Sequence, residues 1–323
     1  MVNELTGAVE RISGPPGTGK TTTLINEVES LIGSGVPPDR IVYTTFSRAG
    51  AGEAVTRAMK RFSMERSRFK WFRTLHSLCY RFVQRTPVMN NGDLRRLAIA
   101  TGIKFTSASA SEDGTFYGKS KGDILMNLIH LSRVTQTPLL EVWNQRGVGV
   151  VTYHELEYLA KALSSYKTDN SKQDYTDMLE RFVELAPHIE ADVLVVDEAQ
   201  DLSPLQWSVV RHLSTLVKKT IVAGDDDQCI HEWNGASAAH FISLKHETDR
   251  VLGQSYRIPK IIHEHAVDLI TRIKQRVPKD YRPRDEEGEI RRIGHVAHVK
   301  FNDETWLILA RHTWLLEDCV AEA

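Results

Sequence analysis

Several things are scarce in this chain, and each shortage excludes something. Cysteine is one: Cys79, Cys229 and Cys319 stand far apart and match no disulfide framework or metal-ligand spacing, which fits a reducing cytoplasm. Long apolar runs are another. No stretch approaches the length that crosses a bilayer, and the opening MVNELTGAVERIS lacks the apolar core of a secretory signal. A cytoplasmic protein without membrane contact is therefore expected. Net charge is also scarce, since 41 Lys and Arg against 42 Asp and Glu leave −1. Any surface for nucleic acid must come from local clustering. What remains is an ordinary globular composition, 41% hydrophobic and 26% charged, in a chain of 323 residues. That length exceeds what one compact core holds, so two or three domains are expected.

The first third alternates between strand and helix patterns. AVERISG (8–14) reads as a strand ending in glycine, and 20–32 has helical spacing with Leu24, Val28 and Leu31 on one face. Gly33, Gly35 and Pro37-Pro38 then stop it. RIVYTTF (40–46) and FKWFRT (69–74) read as strands, with a helix over 48–62 between them and another starting near His76. Residues 87–186 change character, with helical patterns at 120–134, 153–164 and 173–186 and a polar loop, SASASEDGTFYGKSKG. The alternation resumes with the strand VLVV (193–196), a helix over 204–217 and the strands TIVAG (220–224) and DRVLG (249–253). A helix over 258–273, a strand over 304–310 and a final helix complete the reading. Alternation of this kind predicts an α/β fold with a mostly parallel sheet. The expected division is a first α/β domain from 1–86 and 187–253, a helical insertion at 87–186, and the start of a truncated second α/β domain at 254–323.

GPPGTGKT at 14–21 fits G-x-x-x-x-G-K-[ST] without mismatch and lies between an expected strand and an expected helix, the context that the motif requires. Gly14, Pro15, Pro16, Gly17, Thr18, Gly19, Lys20, Thr21 and Thr22 form the candidate phosphate site. Glycines let successive backbone N–H groups turn inward at phosphate oxygens, and the following helix adds its positive N-terminal end. Lys20 reaches the outer phosphates, and the Thr21 hydroxyl is a ligand for Mg²⁺. A P-loop also needs a carboxylate at the end of a buried strand. VLVVDE supplies Asp197 for the metal, with Glu198 beside it to orient or deprotonate the attacking water. ATP and Mg²⁺ are the expected cofactors.

Segment 48–85 carries ten Lys and Arg against two Glu, a local excess of eight positive charges (10 − 2), interleaved with Phe62, Phe69, Trp71, Phe72, Tyr80 and Phe82. Basic residues with aromatic faces are what a single-strand binder combines. Most of these aromatics are better placed to fill a core, since 69–72 falls on an expected strand.

Six blocks in order resemble the superfamily 1 DNA helicases of the UvrD/Rep/PcrA type: GPPGTGKT, TTFSRAGAGEA (44–54), RTLHSLCYRF (73–82), DEAQD (197–201), GDDDQCIHEWNGA (224–236) and QSYRIPKII (254–262). The resemblance covers 1–86 and 187–265 well, and the middle in placement and helical character. It implies a RecA-like fold and ATP-driven 3′-to-5′ movement on single-stranded DNA or a single/double-strand junction. Protein partners in repair, recombination or replication would follow. It implies that Gln228 senses the terminal phosphate and that Arg257 is an arginine finger. It also implies that Phe46 and Trp233 stack on bases, and that His76, with Thr74 and Arg48, meets the strand's backbone. His231 stands where the family usually has a base-contacting tyrosine, Ala49 where it often has lysine, and Asn234 where it often has arginine. No glutamine precedes Lys20 to read adenine, so base choice is open. The family's later motifs lack counterparts here, so the expectation is a fragment that binds nucleotide and DNA, hydrolyses slowly and does not unwind. The alternatives are a non-motor ATP switch that binds DNA, or the helicase half of a recombination nuclease complex.

Overall fold

A computed structural model describes residues 4–46, 48–83, 86–106, 120–295, 298–299, 306–309 and 316. Six strands form one all-parallel sheet in the order β3-β2-β4-β5-β1-β6. They are β1 (Ala8–Ser13), β2 (Ile41–Thr45), β3 (Phe72–Thr74), β4 (Val193–Asp197), β5 (Lys219–Gly224) and β6 (Thr248–Val251). The four central strands are buried almost throughout, which is why VLVV and TIVAG are continuous apolar runs.

The period of two along each strand divides the interior into two cores. Ile41, Tyr43, Val193, Val195, Ile221 and Ala223 point to one face. There they meet Leu24, Ile25 and Val28 of α1 (Lys20–Gly33) and Ala54, Val55 and Ala58 of α2 (Arg48–Phe62). Val42, Leu194, Val196 and Val222 point to the other face. They meet α3 (Leu75–Cys79), α8 (Tyr175–Leu185), α9 (Pro204–Ser214) and Phe241 of the short α10 (Ala239–Ile242). Burying one such aliphatic side chain contributes about 1.5–3 kcal/mol, so the alternation fixes strand register firmly.

Between β3 and β4 the chain forms α4 (Asn91–Thr101), α5 (Lys121–Val134), α6 (Leu139–Arg146), α7 (Tyr153–Asp169) and α8. A third core, built from Leu94, Leu97, Leu125, Leu128, Leu156, Leu159 and their neighbours, binds α4 to α7 together. Four of these helices open on a reciprocal capping box (Asn90/Asp93, Ser120/Asp123, Thr152/Glu155 and Asp174/Asp177), which satisfies N–H groups left free at each start. Beyond β6 lies α11 (Lys260–Ile270).

Some boundaries differ from the sequence reading. FKWFRT reads as extended from 69, but 66–69 make a 3-10 turn and only 72–74 pair, because Phe69 turns inward to pack edge-on against Phe72. The helix expected over 204–217 ends at Ser214, where the Thr215 N–H closes the cap by donating to the last carbonyls. The helix expected over 258–273 spans 260–270, since Pro259 cannot lie inside it. The strand expected at 249–253 is β6, 248–251, and α4 and α6 have no counterpart in the sequence reading. Residues 306–309 carry no regular structure. The rest of the strand expected at 304–310, the final helix apart from Leu316, Cys319, and residues 107–119 of the polar loop lie outside the described residues. The last three residues of that loop, 120–122, cap and open α5.

Candidate nucleotide and nucleic-acid site

All the candidate residues emerge at the carboxyl ends of the strands, where ligands of open α/β sheets bind. β1 runs into 14–19, β2 into Phe46, β3 ends at Thr74, β4 at Asp197, β5 at Gly224, and β6 is followed by 252–258. The loop after β1 is tied to β5 by the Gly14 N–H donating to the Gly224 carbonyl at 3.2 Å. Gly17 and Gly19 take φ of +76° and +84°, left-handed values that a side chain disfavours and that turn successive N–H groups to one side. Within the loop the Thr18 hydroxyl donates to the Pro15 carbonyl at 2.9 Å and the Lys20 ammonium to the Gly14 carbonyl at 2.6 Å.

Thr21, at the first turn of α1, donates to Asp197 Oδ2 at 3.1 Å. Asp197 Oδ2 also accepts from the Tyr43 hydroxyl at 2.8 Å, and Oδ1 accepts from the Glu198 N–H at 3.0 Å. Asp197 is buried, and burial together with the charge of Glu198 raises its carboxyl above the ordinary carboxylate range. Burial and the charge of Asp197 push the Tyr43 phenol well up, so the proton stays on tyrosine. A buried, poorly compensated carboxylate facing a hydroxyl favours a cation. Two oxygens bound at right angles to one magnesium, each at about 2.1 Å, lie roughly 3.0 Å apart. The Thr21–Asp197 separation of 3.1 Å fits that edge. Among the described residues no cluster of three or more His, Cys, Asp or Glu suits a metal. A metal here would take its remaining ligands from phosphate and water.

Glu198 sits at φ +55°, a left-handed value for a residue with a side chain, and Gln200 Nε2 donates to Glu198 Oε2 at 3.0 Å. Such outliers concentrate at functional sites. Gln200 Oε1 accepts from the Asp225 N–H at 3.0 Å, which links the end of β4 to the loop that carries Gln228. Gln228 itself donates to Asp225 Oδ2 at 2.5 Å. On the opposite side the segment after β6 closes over the loop: Ser255 Oγ donates to the Pro16 carbonyl at 2.8 Å and the Tyr256 N–H to the Gly17 carbonyl at 2.9 Å. A Cβ added at Gly17 would come within 2.5 Å of Arg257 Cβ, so the exposed Arg257 starts beside the P-loop.

A groove of about 670 Å³ runs along the ends of β2 and β3, lined in part by Phe46, Arg48, Arg66, Arg73, Thr74 and His76. Arg73 loses basicity to burial and to the nearby Arg81 and Arg66, a gathering of like charge that an anion would relieve. Thr74 also caps α3, its hydroxyl accepting from the Ser77 N–H at 3.2 Å. Phe46, His76 and His231 line an adjoining small cavity. The rings of Phe46 and His231 lie 5.1 Å apart, and those of His231 and Trp233 6.2 Å apart, with Trp233 45% exposed.

The structure thus gathers 14–22, Asp197, Glu198, Gln228 and the Arg257 backbone at one place, and Phe46, Arg48, Thr74, His76, His231 and Trp233 along a neighbouring one. Tyr43, Gln200 and Ser255 belong to the site although the sequence reading omits them. Gln200 stands inside DEAQD and Ser255 inside QSYRIPKII, so the blocks held that signal. Tyr43 on an apolar strand gave none. His130 of α5 is a further omission; its Nε2 lies 2.9 Å from Asn234 Oδ1 and joins the helical region to the loop after β5.

A glycine-bearing phosphate loop facing a carboxylate at the end of a neighbouring parallel strand defines a RecA-like P-loop nucleotide site. Residues 2–249 match the family described as UvrD/REP helicase N-terminal domain, and the chain belongs to that family. Relatives include the ATP-dependent DNA helicase PcrA of Leuconostoc citreum, 24% identical over 98% of this chain and 45% of that protein. That of Staphylococcus aureus strain Mu50 is 25% identical, over 90% of this chain and 42% of that protein. The Staphylococcus epidermidis protein is 24% identical, over 86% and 41% respectively. The chain therefore spans less than half the length of these relatives.

Proposed function

We propose that the chain is the ATP-binding part of a DNA motor of the 3′-to-5′ kind, in which hydrolysis of Mg-bound ATP is coupled to movement on single-stranded DNA. The observation that carries this reading is the Thr21–Asp197 contact at 3.1 Å beside Lys20, with the basic, aromatic groove opening at the ends of the adjacent strands. Lys20 would meet the outer phosphates, and Thr21 and Asp197 would hold Mg²⁺. Magnesium, when bound with the nucleotide, neutralises charge on the phosphates. Glu198 would accept the proton of the water that attacks the terminal phosphorus, while the bond to the bridging oxygen breaks and leaves ADP. Arg257 and Gln228 would face the charge that develops on the transferred group.

Phe46, Trp233 and His231 would stack on bases, and Arg48, Thr74 and His76 would meet the backbone phosphates. The fold would divide into a RecA-like unit (1–86 and 187–253), a helical insertion (87–186) and the start of a second unit (254–323). Placement in the cytoplasm suits the unpaired Cys79 and Cys229. Among the described residues no helix is long and apolar enough to cross a membrane. The steady-state ATP turnover of this chain, with and without single-stranded DNA, tests the reading. A motor shows slow turnover that DNA raises and that Glu198→Gln abolishes while nucleotide binding persists. Turnover that ignores DNA would favour a simple switch.

A further inference from the structure

The loop after β5 holds three consecutive carboxylates, Asp225, Asp226 and Asp227, and their side chains are almost fully buried. Gathering like charges in a low dielectric is costly unless cations meet them. Here both cations come from the stretch beyond α11. The Lys279 ammonium, with no exposure, lies 2.8 Å from Asp225 Oδ1, 2.5 Å from Asp226 Oδ1 and 2.9 Å from Asp227 Oδ2. Arg276 grips Asp227 with two nitrogens, at 2.8 and 2.6 Å, and the Val277 N–H donates to Asp226 Oδ2 at 2.7 Å. Burial alone would raise the Asp227 carboxyl, but hydrogen bonds from Arg276 and Lys279 bring it below the usual range.

The two oxygens of Asp225 are divided: Oδ1 takes Lys279 and Oδ2 takes the Gln228 side-chain amide. The Lys279 stretch is in turn joined to the segment that bears Arg257. The Arg282 N–H donates to the Gly253 carbonyl at 2.9 Å, the Ser255 N–H to the Arg282 carbonyl at 2.8 Å, and Gln254 Nε2 to the Pro283 carbonyl at 2.8 Å. At Gly253 a Cβ would sit 2.1 Å from the Asp280 carbonyl oxygen, so only glycine allows this approach. A continuous set of contacts therefore runs from Arg257 through 253–255 and 276–282 to Asp225 and Gln228.

We propose that Lys279, with Arg276, is a positioning residue for Gln228: it fixes Asp225 as the partner of the Gln228 amide and aligns that loop with the Arg257 segment, so the contact sets how well the chain distinguishes a nucleoside triphosphate from a diphosphate. The inference rests on the phosphate-site reading above. Gln228 exchanges Asp225 Oδ2 for an oxygen of the terminal phosphate, and Lys279 keeps the loop within reach while it does so. Asp225→Asn leaves one carbonyl oxygen, which the ammonium claims, and turns an NH₂ group toward Gln228. Gln228 then loses its acceptor and becomes freer for phosphate. Lys279→Gln loosens the loop from the Arg257 segment and lets Gln228 drift.

The test is fluorescence titration of the 323-residue chain with ADP and with a non-hydrolysable ATP analogue. The readout is the ratio of the two dissociation constants, with a thermal melt of each variant alongside. Asp225→Asn should raise the preference for the triphosphate by about three- to tenfold, the net worth of one ordinary hydrogen bond, and Lys279→Gln should lower it. If Lys279→Gln gives no cooperative melt, Arg276→Gln at the more exposed end of the contact is expected to move the ratio in the same direction. Ratios equal to that of the unmodified chain, with only the melting point lowered, would overturn the proposal, as would both variants shifting the ratio the same way. An unmodified chain that binds neither nucleotide overturns the phosphate-site reading itself.

Discussion

Asp201 shows how one residue carries the electrostatics of the whole site. Its carboxyl is pushed up to about 7, first by burial and then by the charge of Glu198, and its Oδ1 has no hydrogen-bond partner among the described residues. The folded value lies above the unfolded one, near 3.8, so the folded chain keeps a proton that the unfolded chain has lost. Stability from this group is complete below about pH 4 and declines as pH rises toward 7. Asp201→Asn should flatten that decline. Urea midpoints at pH 5 and pH 7.5 check it: the gap between the two should narrow in the variant, and an unchanged gap assigns the slope to other groups. Asp197 is raised as well, by burial and by Glu198, so the end of β4 concentrates carboxylates that a cation would relieve.

At the scale of elements, the decisive unit is the turn between β1 and α1. Gly17 combines φ of +76° with backbone and side chains of 255–257 at close range, so even a methyl group strains the turn and displaces the segment that bears Arg257. Gly17→Ala is expected to weaken binding of a fluorescent ATP analogue at least tenfold, with a fall of only about 1–3 kcal/mol in unfolding free energy. Equal affinity in the variant would show that the loop tolerates a side chain and that its shape is not set here.

The elements around this turn are readable because their signals are local. The strand patterns of β1, β2, β4 and β5 and the helix over 48–62 follow from apolar spacing and glycine stops alone. Other features depend on partners remote in sequence. The extent of β3 escapes the pattern because Phe69 turns into a core made by α2, and α4 and α6 are short helices whose faces gain meaning only when α5 and α7 meet them. Within the site, the P-loop and Asp197 declare themselves by residue type and spacing. Tyr43, whose hydroxyl reaches Asp197 across the sheet, and Lys279, which reaches Asp225 from 54 residues away, are visible only in three dimensions.

For the whole molecule, near-neutral charge hides a division of labour. Arg48, Arg66 and Arg73 gather at the groove beside β2 and β3, while many of the carboxylates are held in internal networks. Arg133 with Asp174, Asp177 and Glu180, and Lys279 with the three aspartates after β5, are two of these. Affinity for single-stranded DNA should therefore fall steeply with salt despite a net charge of −1. Replacing Arg66 and Arg73 together by glutamine should reduce the slope of log affinity against log salt by about 1.4, at roughly 0.7 for each phosphate that is no longer neutralised. Anisotropy titrations across a several-fold range of salt measure it, and a slope that does not change would remove both arginines from the strand's path.

The central claim is that the Thr21 hydroxyl and Asp197 carboxylate, held together at the ends of α1 and β4, are one half of a magnesium–nucleotide site. Its most direct test compares the affinity of the chain for a fluorescent ATP analogue with and without magnesium, in the unmodified protein and in Thr21→Ala and Asp197→Asn. Magnesium should tighten binding strongly in the unmodified chain and have little effect in either variant. A magnesium effect that survives both substitutions would contradict the account.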